Sequence, residues 1–231
     1  MMLRKLVMVA VAMVLLVNSS ATAENVVETI MNVGTTQAFT DEAVSVDDLT
    51  AIMEAGLSAA SAINQQPWFF VAITDQEVMS EIAGAGKSFA PPAGAPDKPE
   101  GAPQEGAGSA PMAPSAAAAG GAKAGLGDSP AAIIIYRSDA SKSPNADFDC
   151  GLATQNMVIA ASALGYGVKI VSSPTMTLNG ENHDALCEKL GVDPAMQAVA
   201  VLLIGHADDT VDAASSATTR EPLDAKTNII E

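Results

Sequence analysis

From residue 90 to residue 127 about three quarters of the chain is Ala, Gly or Pro, and large apolar side chains are almost absent. Such a stretch cannot bury enough surface to offset the entropy of ordering it. The fold must therefore be assembled from what lies on either side: one domain over 24–231 carrying an insertion over 90–127. If flexible, an insertion of that length reaches about 35 Å end to end. A chain of 231 residues in which 48% are apolar holds enough material for one such core.

On the N-terminal side of the insertion, Val26, Val27, Ile30, Met31 and Val33 recur at roughly helical spacing and predict a short amphipathic helix that Gly34 ends. Ser45 is suited to cap a second helix, with Asp47 and Asp48 in its first turn and Leu49, Ile52, Met53, Gly56 and Leu57 on its inward face. Residues 68–74 read as a strand buried on both faces, and Asp75 as the cap of a short helix reaching about Ala83. Beyond the insertion, AAIIIYRS at 131–138 is the β-branched run of a central strand. Residues 147–164 predict a helix closed by Gly165. It is apolar most of the way round and so buried, with Gly151, Ala153, Ala160, Ala161 and Ala163 small enough for close approach, and with Met157, Ile159 and Leu164 supplying bulk. A strand over 167–172 then turns through Ser173, Pro174 and Thr175. A helix over 182–190 stops at Gly191, and a last apolar strand occupies 197–205. The polar tail past His206 has Leu223, Ile229 and Ile230 as its few apolar anchors.

The stretch SAASAINQQPWFFVAI at 58–73 organises the rest, because a small-residue helix end passes through a polar loop directly into an apolar strand. Ser61, Asn64, Gln65 and Gln66 crowd amide and hydroxyl groups into a few residues, and Pro67 biases Gln66 away from helical angles. Such a loop, set at the edge of a sheet, can read a planar polar ligand. Together with AFTDEAV at 38–44, the stretch resembles the flavin-binding segment of the nitroreductase family, whose members carry Pro-Ser, then Asn, then Gln-Pro-Trp at this spacing. Ser61, Asn64, Gln66, Pro67 and Trp68 match, while Ala60 stands where proline is usual. The Gly-Leu-Ala-x-Gln-Asn run at 151–156 is similar to a helix that lies in the family's dimer interface.

The resemblance implies an α+β fold with a mostly antiparallel central sheet flanked by helices. It also implies a homodimer with FMN at two sites between subunits. The implied activity is an oxidoreductase that takes hydride from NADH or NADPH onto the flavin and passes electrons to a nitro compound, quinone or other small acceptor. The flavin carries that chemistry, so no catalytic side-chain acid or base is expected. Ser61 and Asn64 would contact the ring or ribityl chain, Gln66 would brace the loop, and Ser172 and Ser173 would stand where the family meets the ring with backbone amides. One departure is large. Where the family has an arginine, a serine and an arginine before the phenylalanine matched by Phe39, this chain has Val33, Gly34, Thr35, Thr36, Gln37 and Ala38. Only Thr36 and Gln37 remain as polar contacts. Charged hydrogen bonds contribute about 1.5 to 3 kcal/mol each, so losing two weakens phosphate binding roughly a hundredfold to ten-thousandfold. Arg220 matches a basic residue that the family places near its C-terminus and is the expected compensation. The same loss supports a second reading, a flavin-deficient member that keeps the fold as a binding or scaffold module.

The formal charge of −16 repels phosphate backbones and anionic headgroups and argues against a nucleic-acid partner. Arg4 and Lys5, the apolar run over 6–17 and Ala21-Thr22-Ala23 read as a cleaved export leader over 1–23, giving a periplasmic or secreted protein that starts at Glu24. About 12 apolar residues fall short of the roughly 20 needed to span a bilayer, so no stable membrane insertion is expected after cleavage. Cys150 and Cys187 either pair as a disulfide or, each lying in a helix-like stretch, stay as buried free thiols, and neither is in a CxxC or beside a histidine. His183 and His206, far apart in sequence and flanked by loop-like residues, are not expected to bind a metal. HExxH, GxSxG, P-loop and helix-opening GxGxxG patterns are absent, which removes the common hydrolase, phosphate-transfer and Rossmann readings.

Overall fold

The structure, a computed structural model, describes residues 26–85, 126–138, 144–212, 222–228 and 230. The expected leader, most of the insertion, Arg220 and Ile229 lie outside the described residues. In chain order the elements are α1 (26–32), α2 (Val46–Leu57), β1 (Trp68–Ile73), α3 (Gln76–Ala85), β2 (Ala131–Ser138), α4 (Ala146–Ala163), β3 (Gly167–Val171), α5 (Ser173–Leu178), α6 (His183–Leu190), β4 (Met196–Gly205), α7 (Asp209–Asp212) and α8 (Leu223–Lys226).

The four strands form one sheet in the order β1-β2-β4-β3, with every neighbouring pair antiparallel. Because side chains alternate along a strand, β2 divides its apolar residues between two cores. Ala132, Ile134 and Tyr136 meet α3, α5 and α6 through Met79, Ile82, Leu178, Leu186 and Cys187. Ala131, Ile133 and Ile135 meet α2 and α4 through Leu49, Ile52, Ala153, Met157 and Val158. The sheet is thus the middle layer of three. A bulge between Ile135 and Tyr136 leaves Val199 of β4 unopposed, since Ile135 faces Ala200 and Tyr136 faces Ala198. Among the described residues no helix is long and apolar enough to cross a membrane.

Local chemistry explains several element ends. Ser45 caps α2 by accepting from the Asp48 amide at 3.0 Å, and Asp75 does the same for α3 through Glu77 and Val78. Gly191 closes α6 with φ of 67°, a left-handed turn that glycine adopts without strain.

Several expectations are corrected. β1 packs on both faces, with Val71 and Ile73 against one core and Trp68, Phe70 and Ala72 against the other, but it is an edge strand and its burial is incomplete. Among the described residues it pairs only with β2, and Phe69 is 41% exposed. Ser173 and Pro174 do not form a turn but begin α5, where a proline in the first turn gives up an amide that has no helical partner. Leu57 and Leu164 are exposed rather than inward, and α4 buries only one side, leaving Phe148 and Gln155 open. The apolar residues of α1 and the tail residues Leu223 and Ile230 likewise stay exposed instead of anchoring on this chain's own core. Leu126, which composition assigns to the insertion, is buried with Met79 and Ile82 and belongs to the core.

Both cysteines are buried and free. Burial, helped by the carboxylates of Asp147 and Asp149, pushes the Cys150 thiol up to about 12, so it stays protonated and unreactive. Cys187 departs from expectation because His183 precedes it by one helical turn, with both ring nitrogens 3.7 Å from its sulfur. Far from being loop-flanked, His183 opens α6 and faces two carbonyls, Leu178 O at 2.7 Å from Nδ1 and Pro194 O at 2.9 Å from Nε2. A neutral imidazole can donate to only one of them, whereas the charged ring donates to both. The Leu178 contact first, then the Pro194 contact, therefore raise its pKa above the ordinary value. A folded pKa above the unfolded one gives stabilisation that is complete below about pH 6.5 and is lost as pH rises through the folded pKa. Melting temperature is expected to fall over that rise in the wild type and to fall less in His183→Gln. Equal slopes in the two proteins would refute the assignment.

Candidate functional site

The loop between α2 and β1 holds an unusual backbone. A short 3-10 turn over Ala62–Asn64 puts Ile63 at φ 55° and Asn64 at φ 57°, and Gln66 follows at φ 45°. Asparagine tolerates the left-handed region, but a β-branched isoleucine and a residue before proline do not. Each costs about 1–3 kcal/mol and persists only where the surroundings over-determine it.

Those surroundings are visible. The Ser61 hydroxyl accepts from the Gln66 amide at 2.9 Å, and Gln66 Nε2 donates to Asn64 Oδ1 at 3.0 Å. The Ala62 amide donates to both carboxylate oxygens of Asp149, each at 3.2 Å. Asp149 sits on α4 and is 2% exposed, so the loop is tied to the buried face of a long helix. On the strand side, the Ser138 amide donates to Pro67 O at 2.8 Å and Trp68 stacks on Phe70 at 6.3 Å. Arg137, opposite Trp68 in register, pairs with Asp147 at 2.8 Å and fastens the start of α4 to the same corner. The outcome is a rigid loop that presents Asn64, Gln65 and Gln66 to solvent.

Asp149 is the residue that sequence reasoning missed. The available signal was a lone acid inside an otherwise apolar helical face, next to Cys150.

The other predicted residues gather at the far edge of the sheet. The Thr36 amide donates to Val168 O at 2.8 Å, which lays residues 36 and 37 along the free side of β3. Thr36 itself is buried. A Cβ placed on Gly167 would stand 2.5 Å from the Thr36 hydroxyl oxygen, so only glycine lets this segment approach. Gln37 accepts from Lys169 Nζ at 3.1 Å. Ser172 and Ser173 lie exposed where β3 runs into α5. Lys169 was not singled out from sequence, because a single lysine in a short strand carries no pattern.

The two groups do not meet within one chain. Three strand spacings of about 4.8 Å separate β1 from β3, a width of about 14 Å. The loop is level with Gln197 through Arg137, and residue 36 is level with Ile204 through Val168. At about 3.3 Å per residue this puts the loop and the Thr36 segment at opposite corners, roughly 25 Å apart. Of the predicted residues, Thr36 alone lines the hollow of about 390 Å³ beside Thr35, Tyr166 and Gly167. Among the described residues that hollow is lined by Asp209 and by no basic residue. A second cavity, of about 330 Å³, lies under α4 against Cys150, Thr154 and the bulged Val199. Among the described residues no three His, Cys, Asp or Glu side chains gather to hold a metal.

This architecture has known counterparts. A crystal structure of a nitroreductase with bound FMN from Bacteroides fragilis superimposes with a TM-score of 0.66 at 22% identity, covering 89% of this chain and 98% of that one. A nitroreductase with bound FMN from Desulfitobacterium hafniense gives 0.68 at 20% identity over the same shares. In sequence, a protein of Archaeoglobus fulgidus bearing the name NADH dehydrogenase/NAD(P)H nitroreductase is 26% identical over 179 residues, 76% of this chain and 82% of that protein. The model of the nitroreductase family matches residues 34–206, a span that takes in the strained loop, Asp149 and the β3 edge. With that span covering most of the chain, the chain belongs to the nitroreductase family.

Proposed function

We propose that this protein is an FMN-dependent oxidoreductase that draws electrons from NADH or NADPH and delivers them to a small acceptor such as a nitro compound or quinone. The observation that carries the reading is the strained loop at 61–66. Three residues with positive φ are held in place by Asp149 and by the loop's own side chains, yet the groups so positioned face solvent and satisfy nothing in the core. Strain kept at an exposed polar surface marks a site prepared for a ligand. The loop's exposed amides suit the alternating donors and acceptors of a flavin's polar ring, so the residues present fit the group. Family membership and the FMN-bound relatives support the same ligand.

When bound, FMN supplies the hydride and electron chemistry. The protein's part is placement: Ser61 and Asn64 meet the ring or ribityl chain, Gln66 braces Asn64, and Ser172 and Ser173 approach the ring from the β3 edge. No side chain need act as an acid or base.

Ser61 and Asn64 stand a full sheet width from Ser172 and Ser173, so one ring can touch both groups only if a second copy supplies one of them. The working unit is therefore a homodimer. The open side of α4 with Phe148, Gly151 and Gln155, together with the exposed apolar residues of α1 and the tail, provides surface for that partner. The leader pattern at 1–23 sends the dimer out of the cytoplasm.

The test is the visible spectrum and the mass of the protein purified from Glu24 onward. Added FMN should lose fluorescence on binding, the complex should oxidise NADH or NADPH, and the species should have twice the chain mass. No flavin absorption together with no quenching would leave the flavin-free binding module as the surviving reading.

A further inference from the structure

Resting on the flavin reading, the question is which cation meets the phosphate once the arginines around residues 33–37 are gone. Among the described residues the lysines and arginines are Arg137, Lys169, Lys189 and Lys226. Arg137 is committed to Asp147 at the β1 corner, Lys189 bonds Glu81 on the α3 side, and Lys226 lies in the tail helix α8. Lys169 is different in place. It projects from β3 onto the segment that lacks the arginines and reaches Gln37 Oε1 at 3.1 Å. The pairing of Thr36 with Val168 and the close fit of Thr36 on Gly167 hold that segment against the strand, so the ammonium is kept beside residue 37.

We propose that Lys169 is the cation that receives the phosphate monoester of the flavin, with Gln37 orienting it. A positive charge that the sequence lacks at residue 37 is supplied beside that residue from a strand far along the chain. In a protein of formal charge −16, a dianionic phosphate needs such a cation, because the net field repels it. The carbonyl oxygen of Gln37 faces the ammonium and fixes its direction, as a lysine stem left alone would not.

FMN and riboflavin share the ring and ribityl chain and differ in the phosphate, so their dissociation constants separate this proposal from the one it rests on. Both are measured by fluorescence quenching for the wild type, Lys169→Gln and Lys169→Arg. The wild type should bind FMN about 10- to 100-fold more tightly than riboflavin, the size expected of charged hydrogen bonds. Lys169→Gln should lose most of that ratio while binding riboflavin as before, and Lys169→Arg should keep it. The ratio is unaffected by a fraction of unfolded protein. A wild type that binds both flavins equally well, or a Lys169→Gln variant with an unchanged ratio, would overturn the role of Lys169 and leave the flavin reading intact. A wild type that binds neither flavin would overturn both.

Discussion

Ile134→Ala is expected to destabilise the protein by about 3 kcal/mol, within the range for large-to-small substitutions at fully buried sites. Ile134 has no exposed surface and lies on the central strand β2, with Val71 of β1 and Val201 of β4 directly opposite it. Its neighbours belong to a sheet paired on both sides, so the backbone cannot move in to fill the space left by the lost methyl and methylene groups. For a domain of this size that loss corresponds to a fall in Tm of about 6–12 °C. Ile134→Val removes one methylene and should cost about 1 kcal/mol. Thermal or urea unfolding checks the pair, and a loss below about 1 kcal/mol for the alanine variant would show that this core is not closely packed.

Asp149→Ala is expected to separate binding from stability. The substitution removes the carboxylate that accepts from the Ala62 amide, an interaction of about 1.5–3 kcal/mol. It also relieves the burial of a charge, and the two effects partly offset each other in the folded state. Global stability should therefore change by only about 1 kcal/mol. The loop, however, loses the external contact that forces Ile63 and Gln66 into the left-handed region and relaxes away from its ligand-ready form. FMN affinity should fall about 10- to 100-fold, and hydrogen exchange at the Ala62 amide should quicken with or without flavin. Asp149→Asn, which keeps one acceptor, should lie between. Slow exchange at Ala62 in the alanine variant would show that the loop holds itself.

How far these sites could be read in advance depended on whether the signal was local. The bend ahead of Trp68, the cap at Ser45 and the β2 run are written in neighbouring residues, and the structure has them as expected. The exposure of β1 could not be read from its residues. WFFVAI is apolar throughout, and nothing in it tells that β1 ends the strand order or that Phe69 stays exposed while Trp68 and Ile73 are buried. Asp149, Lys169 and the carbonyls around His183 belong to the same kind. Each acts on a residue reached through the fold: Ala62 from α4, Gln37 from β3, and Pro194 from the loop after α6.

Sequence alone settled the family and the position of the polar loop ahead of Trp68, because each is a pattern of side chains a few residues apart. Tertiary structure decided the strand order, the buried carboxylate beneath the loop, the lysine beside residue 37, and the separation of the polar loop from the Thr36 segment to opposite corners of one sheet. Strand pairing brings together residues that lie far apart along the chain, and no local propensity records which of them will meet.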